Sequence, residues 1–400
     1  MNILYIHQYF KTPQEPGGTR SYWIAQELIK NGHSVTMLTS KSNMNTNSEV
    51  RVVDGIEVVY LNVRYDNKMS LFQRATSFLK FMFLSTYFAF KQKDLDLVIS
   101  TSTPLTVGLP ALLLRKFRKI PYVFEVRDLW PEVPIVMGAI KNKQLIKLSY
   151  QFEKLIYSNA AHIIALSPGM RDGVVKAGVH PQKISMIPNM SKIDEFWPRQ
   201  KNISLMRSFG LNECSFKIVH FGALGKANGA MSIIETAKVL KNVDCFDFIF
   251  LGGGATELEL RRVCESEGLR NVHFLGTFPM HLTSEIVNLC DVSIVSFLDL
   301  PILYTNSPNK LFDSLSAGKP IIVNSAGWTK ELVEKHNCGL FVDPLNAEDL
   351  ASKLYWLKNN PNNVKEMGIA SRKLAENTFD KSILCNQVVQ LINSLNLKDV

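Results

Sequence analysis

Short apolar runs with strand character alternate with amphipathic helical stretches along this chain, and the pattern starts afresh near its midpoint. Residues 2–6, 34–38, 97–100, 122–125 and 162–166 are compact apolar runs of the kind that become buried parallel strands. After the first of them, residues 20–30 form a helical pattern with Trp23, Ile24 and Leu28 on one face, and Asn31-Gly32 supplies its stop. Beyond position 200 the strand-like runs return at 217–221, 246–252, 272–276, 292–295 and 321–324. Helical segments separate them at 230–240, 257–267, 282–289, 309–317 and 348–359. Serial βα units of this kind predict an α/β fold of two doubly wound, Rossmann-like domains, with a ligand cleft between them and binding residues at the carboxyl ends of the strands. Prolines and polar residues break both periods between Ile187-Pro188-Asn189 and Phe196-Trp197-Pro198. The expected domains are therefore 1–190 and 191–376, followed by a helical segment, 377–400, that packs back towards the first domain.

At 400 residues, 46% apolar and 20% charged, the chain is long enough for two cores and is neither disordered nor fibrous. Its six cysteines (Cys214, Cys245, Cys264, Cys290, Cys338, Cys385) show no CxxC spacing and no nearby histidine pairs. They read as buried free thiols rather than a disulfide framework or a zinc site. The opening MNILYIHQYF has no basic leader and reads as a first strand, which predicts a cytoplasmic protein. The net charge of +9 is unevenly spread: residues 1–200 hold 25 Lys+Arg against 15 Asp+Glu, and residues 201–400 hold 20 against 21.

One segment of the basic half departs from the scheme. Residues 70–90 (Ser70 to Phe90) contain six phenylalanines, Phe72, Phe78, Phe81, Phe83, Phe88 and Phe90, interrupted by Arg74 and Lys80 and flanked by Arg64, Lys68, Lys91 and Lys93. The uninterrupted apolar stretch is about ten residues, half of what a spanning helix needs. Residues 112–119 (Leu112 to Lys119, LLLRKFRK) mix leucines with four cations. Both patterns suit helices lying in an anionic headgroup plane; a helix pair packed on the sheet is the alternative.

Four places carry chemistry. Pro16-Gly17-Gly18-Thr19-Arg20 opens the first helix, where glycines allow close backbone approach and the helix N-terminus favours an anion. A tight turn explains the same residues, and neither a dinucleotide fingerprint nor a P-loop spacing is present. Gly222-Ala223-Leu224-Gly225-Lys226 links a strand to a helix and combines glycines with a point charge, which suits a diphosphate. Ser307-Pro308-Asn309-Lys310-Leu311-Phe312-Asp313 begins another helix, with N–H groups from Lys310 to Phe312 expected to point into the cleft and Asp313 one turn in. Glu125-Val126-Arg127-Asp128-Leu129-Trp130-Pro131-Glu132 places four charges at a strand's carboxyl end, which serves either a structural ion-pair cluster or a site. His7 ends the first strand and reads as a core histidine. No Ser-His-Asp arrangement, zincin helix or carboxylate-rich metal site stands in the sequence.

Taken together and in this order, the Gly17-Gly18 loop, IPNMSKIDEFWP (187–198), the Gly222–Gly229 loop and SPNKLFDSLSAGKPIIV (307–323) resemble the family 4 glycosyltransferases, retaining enzymes of the GT-B fold that use nucleotide-sugar donors. VHFLG before Thr277 looks like that family's base-binding turn. The resemblance implies that Gly17, Gly18 and Arg20 lie near the donor phosphates, with Gly222 and Gly225. It also implies that Lys226 and Lys310 neutralise the diphosphate, helped by Asn309 and the N–H groups of Leu311 and Phe312, and that Asp313 takes the ribose in place of the second glutamate of the family's paired-glutamate motif. Thr305 stands where the first glutamate belongs, and Arg127 where many members have a histidine contacting the donor sugar. EVRDLWPE and PNKLFDSLSAGKP look most like transferases of bacterial O-antigen and capsule assembly, in particular the group assigned to N-acetyl-L-fucosamine.

What the resemblance implies is metal-independent transfer from a UDP-sugar, with no cofactor, to an undecaprenyl-diphosphate-linked saccharide at the cytoplasmic face of the plasma membrane. Arg127 and Asp128 would orient sugar and acceptor, and the leaving UDP oxygen would take the acceptor's proton. A nucleotide-sugar epimerase of the same fold and a non-enzymatic basic lipid-binding protein are the competing readings. Nucleic acid is disfavoured, because the aromatics are clustered phenylalanines not interleaved with arginine.

Overall fold

The computed structural model describes residues 1–66 and 69–395; Lys68, one of the expected flanking cations, and positions 396–400 of the C-terminal segment lie outside the described residues. The chain divides into two compact units. The first comprises Met1–Thr12, Gly18–Pro188 and the segment from Ser382 onward; the second comprises Pro13–Gly17 and Asn189–Lys381.

The first unit is built on eight strands: β1 (Asn2–Ile6), β2 (Ser34–Lys41), β3 (Ser48–Val53), β4 (Ile56–Asn62), β5 (Leu97–Thr101), β6 (Tyr122–Val126), β7 (His162–Ala165) and β8 (Ile184–Met186). Their order is β3-β4-β2-β1-β5-β6-β7-β8. All pairs are parallel except β3 with β4. The core strands are apolar because helices cover both faces: every residue of β5 and β6 is buried. The β3–β4 hairpin, absent from the pattern expected above, turns through Asp54 (φ 49°) and Gly55 (φ 84°), the left-handed pair that a tight hairpin needs. Its outer strand leaves Val50 and Val52 exposed, so it never showed the compact apolar run of a buried strand.

The second unit has β9 (Phe216–Phe221), β10 (Phe246–Leu251), β11 (Val272–Gly276), β12 (Val292–Val295), β13 (Ile321–Val323) and β14 (Gly339–Phe341), in the all-parallel order β11-β10-β9-β12-β13-β14. This is the doubly wound order with β9 and β12 at the switch point. Phe246, Phe248 and Phe250 point into one core with Ile218, Ile234 and Leu354. Val219, Phe221, Ile249 and Leu251 point into a second, on the opposite face.

The Phe-rich segment is one helix, Leu71–Lys91, started by a capping box in which Ser70 Oγ accepts from Gln73 N (3.3 Å) and Gln73 Oε1 accepts from Ser70 N (3.0 Å). Ser77, Phe81, Ser85 and Ala89, four residues apart, form its buried face. The six phenylalanines do not share one fate: Phe81 is buried, Phe78 and Phe88 are half-buried, and Phe72, Phe83 and Phe90 are exposed. Among the described residues no helix is long and apolar enough to cross a membrane. The cysteines are unbonded, and four are buried; Cys214, however, is exposed and Cys245 half-buried, because they stand in the loops just before β9 and β10, where Cys245 only borders the core.

Candidate active site

In the second unit the loops that follow β9, β10 and β11 are laced together. Gly222 N donates to Leu251 O (2.8 Å), Leu224 N to Gly253 O (3.0 Å) and Gly252 N to Gly276 O (2.7 Å). The lacing needs glycine: Gly252 has φ 124°, and a Cβ there would lie 2.0 Å from Gly222 O. The result is a bare backbone ledge. Gly222 (φ 106°) and Ala223 are exposed, Gly225 is half-buried, Lys226 is exposed at the start of the next turn, and Thr277 is exposed just past β11.

Under this ledge runs Lys310. It is buried in the first turn of the helix Asn309–Ser316, and a Cβ on Gly222 would sit 3.6 Å from its Cε. Its Nζ lies 2.9 Å from Nε2 of His220, the penultimate residue of β9. Burial and the adjacent ammonium hold His220 well below the usual imidazole range, so it is neutral. Burial pushes Lys310 down to about 7. One turn on, Asp313 is buried and pairs with Lys192 (3.0 Å). Burial raises its carboxyl above the ordinary value in spite of that lysine. The Lys192 ammonium also stands 5.4 Å over the Phe196 ring.

The N-terminus of that helix differs from expectation in one respect. Leu311 N–H donates to Pro308 O (3.1 Å), closing a tight first turn, so it is not available to a phosphate. The side chains of Leu311 and Phe312 are core, while Asn309 is half-buried at the first helical position. Thr305 donates its hydroxyl to Ile302 O (2.7 Å).

In the first unit the adjacent carboxyl ends of β1, β5 and β6 gather His7, Ser102, Thr103, Arg127 and Asp128. Arg127 Nη1 lies 3.3 Å from His7 Nε2, and His7 Nδ1 lies 2.7 Å from Ser21 Oγ. A guanidinium only donates, so Nε2 accepts and the proton of the neutral ring sits on Nδ1, towards Ser21. Burial, with Arg127, keeps His7 well below its ordinary value. Arg127 N donates to Ser102 Oγ (3.0 Å), and Asp128 Oδ2 accepts from Thr103 Oγ1 (2.9 Å).

Arg20 requires correction. It does open the helix Arg20–Lys30, but its guanidinium is turned into the core: Nε donates to Glu125 Oε1 (2.7 Å), Nη2 to Ile187 O (3.0 Å) and Nη1 to Pro188 O. Every one of these partners is internal, so its geometry is that of a structural ion pair and not of a donor contact. Gly17 (φ 137°) is exposed and Gly18 half-buried. Sequence reasoning missed His220, Lys192 and the role of His7. A histidine after the apolar pair Ile218-Val219 in the strand run KIVHF was the one available signal for the first, and Lys192 lay within the quoted 187–198 block. Among the described residues no group of His, Cys, Asp or Glu is arranged to hold a metal ion.

Comparison with known proteins bears on this geometry. The model of the glycosyl transferase 4-like domain matches residues 17–190, and that of the glycosyl transferases group 1 matches residues 202–374. The glycosyltransferase WbjE of Pseudomonas aeruginosa is 25% identical over 233 residues, 57% of this chain and 56% of WbjE, little more than half its length. The colanic acid biosynthesis glycosyl transferase WcaI of Escherichia coli is 22% identical over 71% of this chain and 69% of its own. Anabaena HepE, solved with UDP-glucose, superposes with a TM-score of 0.71 at 18% identity, covering 99% of this chain and 100% of that one. With both of its doubly wound units matched in order, the chain belongs to the GT-B glycosyltransferases that pair a 4-like domain with a group 1 domain.

Proposed function

We propose that this protein transfers a glycosyl group from a UDP-sugar, N-acetyl-L-fucosamine or another amino or deoxy sugar, to a lipid-diphosphate-linked saccharide in O-antigen or capsular polysaccharide synthesis. The observation that carries the donor half is Lys310: a buried ammonium beneath an exposed glycine ledge at the switch point of its sheet, with a neutral histidine for a partner. An ammonium so placed is suited to the negative charge that grows on a departing diphosphate. Lys226 at the end of the ledge adds a second cation, and in this reading Thr277 meets the base and Asp313 the ribose. On the first unit, Arg127 and Asp128 orient the sugar and the acceptor hydroxyl. The UDP bound to HepE and the colanic acid assignment of WcaI support the donor class and the kind of product. Thr305 and Arg127, in place of the family's glutamate and histidine, support a sugar other than glucose or mannose. Purified protein given a panel of UDP-sugars and a lipid diphosphate saccharide should turn over an amino or deoxy sugar, and UDP should raise its melting temperature where oligonucleotides do not. Turnover with UDP-glucose alone would sink the sugar assignment.

The acceptor places the protein on the cytoplasmic face of the plasma membrane in this reading. Phe72, Phe83 and Phe117 are 78%, 66% and 73% exposed, and Lys80, Lys91, Arg115 and Lys116 lie on the same two helices, Leu71–Lys91 and Gly108–Arg118, which pack on each other. Alongside the latter, the helix Lys143–Asn159 exposes Leu145, Leu148 and Leu155 between Lys143, Lys147 and Lys154. Each cation near an anionic surface contributes about 1 kcal/mol. Sedimentation with phosphatidylglycerol vesicles should therefore be strong, weakened by high salt, and reduced at least about tenfold in Phe83→Glu/Phe117→Glu. Equal binding to neutral vesicles would count against it.

A further inference from the structure

Lys310 poses an electrostatic question that its assignment to the diphosphate does not answer. A buried ammonium ordinarily has a carboxylate beside it, because an isolated charge is expensive to remove from water. Here the elements around it bring none. On its own helix Asp313 is turned to Lys192. The strands β12 and β13 beneath contain no ionisable side chain and offer Ser293, which is bonded to Ser314 (2.7 Å). From the helix Pro361–Leu374 and the turn Ala375–Phe379, Arg372 and Glu376 pair with each other (2.6 Å). β9 brings His220, whose other neighbour is the Phe250 ring at 5.7 Å. The ammonium thus faces one neutral base and the glycine ledge.

We infer that His220 is a positioning residue: as a neutral base it keeps Lys310 aimed at the ledge yet leaves its charge uncompensated, so that binding of the donor diphosphate draws a proton from solvent onto Lys310. The inference rests on the donor reading above. The pair is suited to this because its hydrogen bond survives in both states: the ammonium donates to Nε2, and the neutral amine either donates to Nε2 or accepts from the other tautomer. With Lys310 near 7 in the free protein, most molecules lack that proton at pH 8. An adjacent diphosphate favours the charged form and restores it. A carboxylate at position 220 would keep the lysine charged throughout and abolish the coupling.

The test is calorimetry of UDP binding in buffers of different ionisation enthalpy, at pH 8, where the terminal phosphate (pKa about 6) is already ionised. Uptake of about 0.9 proton is expected, and affinity should fall about eightfold between pH 7.5 and 8.5. His220→Gln, a neutral hydrogen-bonding replacement, should keep both effects. His220→Glu, of the same shape but charged, should reduce the uptake to near zero and flatten the pH dependence. Binding of UDP with no uptake in the wild type, or uptake unchanged in His220→Glu, overturns the inference while leaving the donor reading intact. Absence of UDP binding altogether overturns both.

Discussion

Lys310→Met is expected to lower kcat/KM for the UDP-sugar by about 10²–10³, the usual effect of removing one preorganised donor from a developing negative charge. Lys310→Ala should lose at least tenfold by the same logic. The variant should remain folded, with a melting temperature equal to or above that of the wild type, because the buried ammonium has only a neutral partner and methionine has nearly its shape without its charge. The pH dependence has a definite sign. The unfolded chain holds this proton up to about pH 10.4, and the folded protein only up to about 7. Between those values the unfolded state binds more protons, so this group makes the wild type more stable as pH rises, and the benefit is lost as pH falls through 7. Lys310→Met should lack that trend, so its stability advantage should be widest below neutrality. Near-normal turnover would refute the role of Lys310; a loss of activity matched by a loss of stability would assign it to the fold.

The framework was legible because its signals are local. The helix Arg20–Lys30 begins and ends where the residues say, with Asn31 as its cap and Gly32 at φ 81°. Buried parallel strands announce themselves as apolar runs, and the glycines of the ledge stand at strand ends where backbone must come close to backbone. β3 escaped because an exposed edge strand has no apolar run, and β8 and β14 because each is three residues long and, unlike the equally short but fully buried β13, only partly buried.

The site was legible in its backbone and poorly legible in its partners. Lys310 and Asp313 could be placed on a helix start, but what each side chain faces depends on residues far along the chain. His220 is 90 positions from Lys310, and no spacing rule connects them. Without that partner Lys310 reads as one more cation; with it, the residue becomes a buried charge that only a ligand can balance. Arg20 failed in the opposite direction. Its position beside two glycines suggested an anion contact, but the residue that receives it, Glu125, is 105 positions away.

Arg20→Met should therefore be among the most destabilising single substitutions in the first unit. It leaves Glu125 buried with Thr101 Oγ1 (3.1 Å) as its remaining side-chain donor, and it strips the carbonyls of Ile187 and Pro188 of their guanidinium donors. Breaking a buried ion pair from one side costs about 3–5 kcal/mol, which for a unit of this size is a drop of about 6–20 °C in its thermal transition. The cost comes mainly from the orphaned carboxylate, so Arg20→Met/Glu125→Gln should recover much of it, and a double-mutant cycle should show strong coupling between the two positions. UDP affinity measured well below the transition should stay within a few-fold of the wild type. A variant that keeps its thermal transition but loses UDP binding would reverse this assignment and return Arg20 to the donor site.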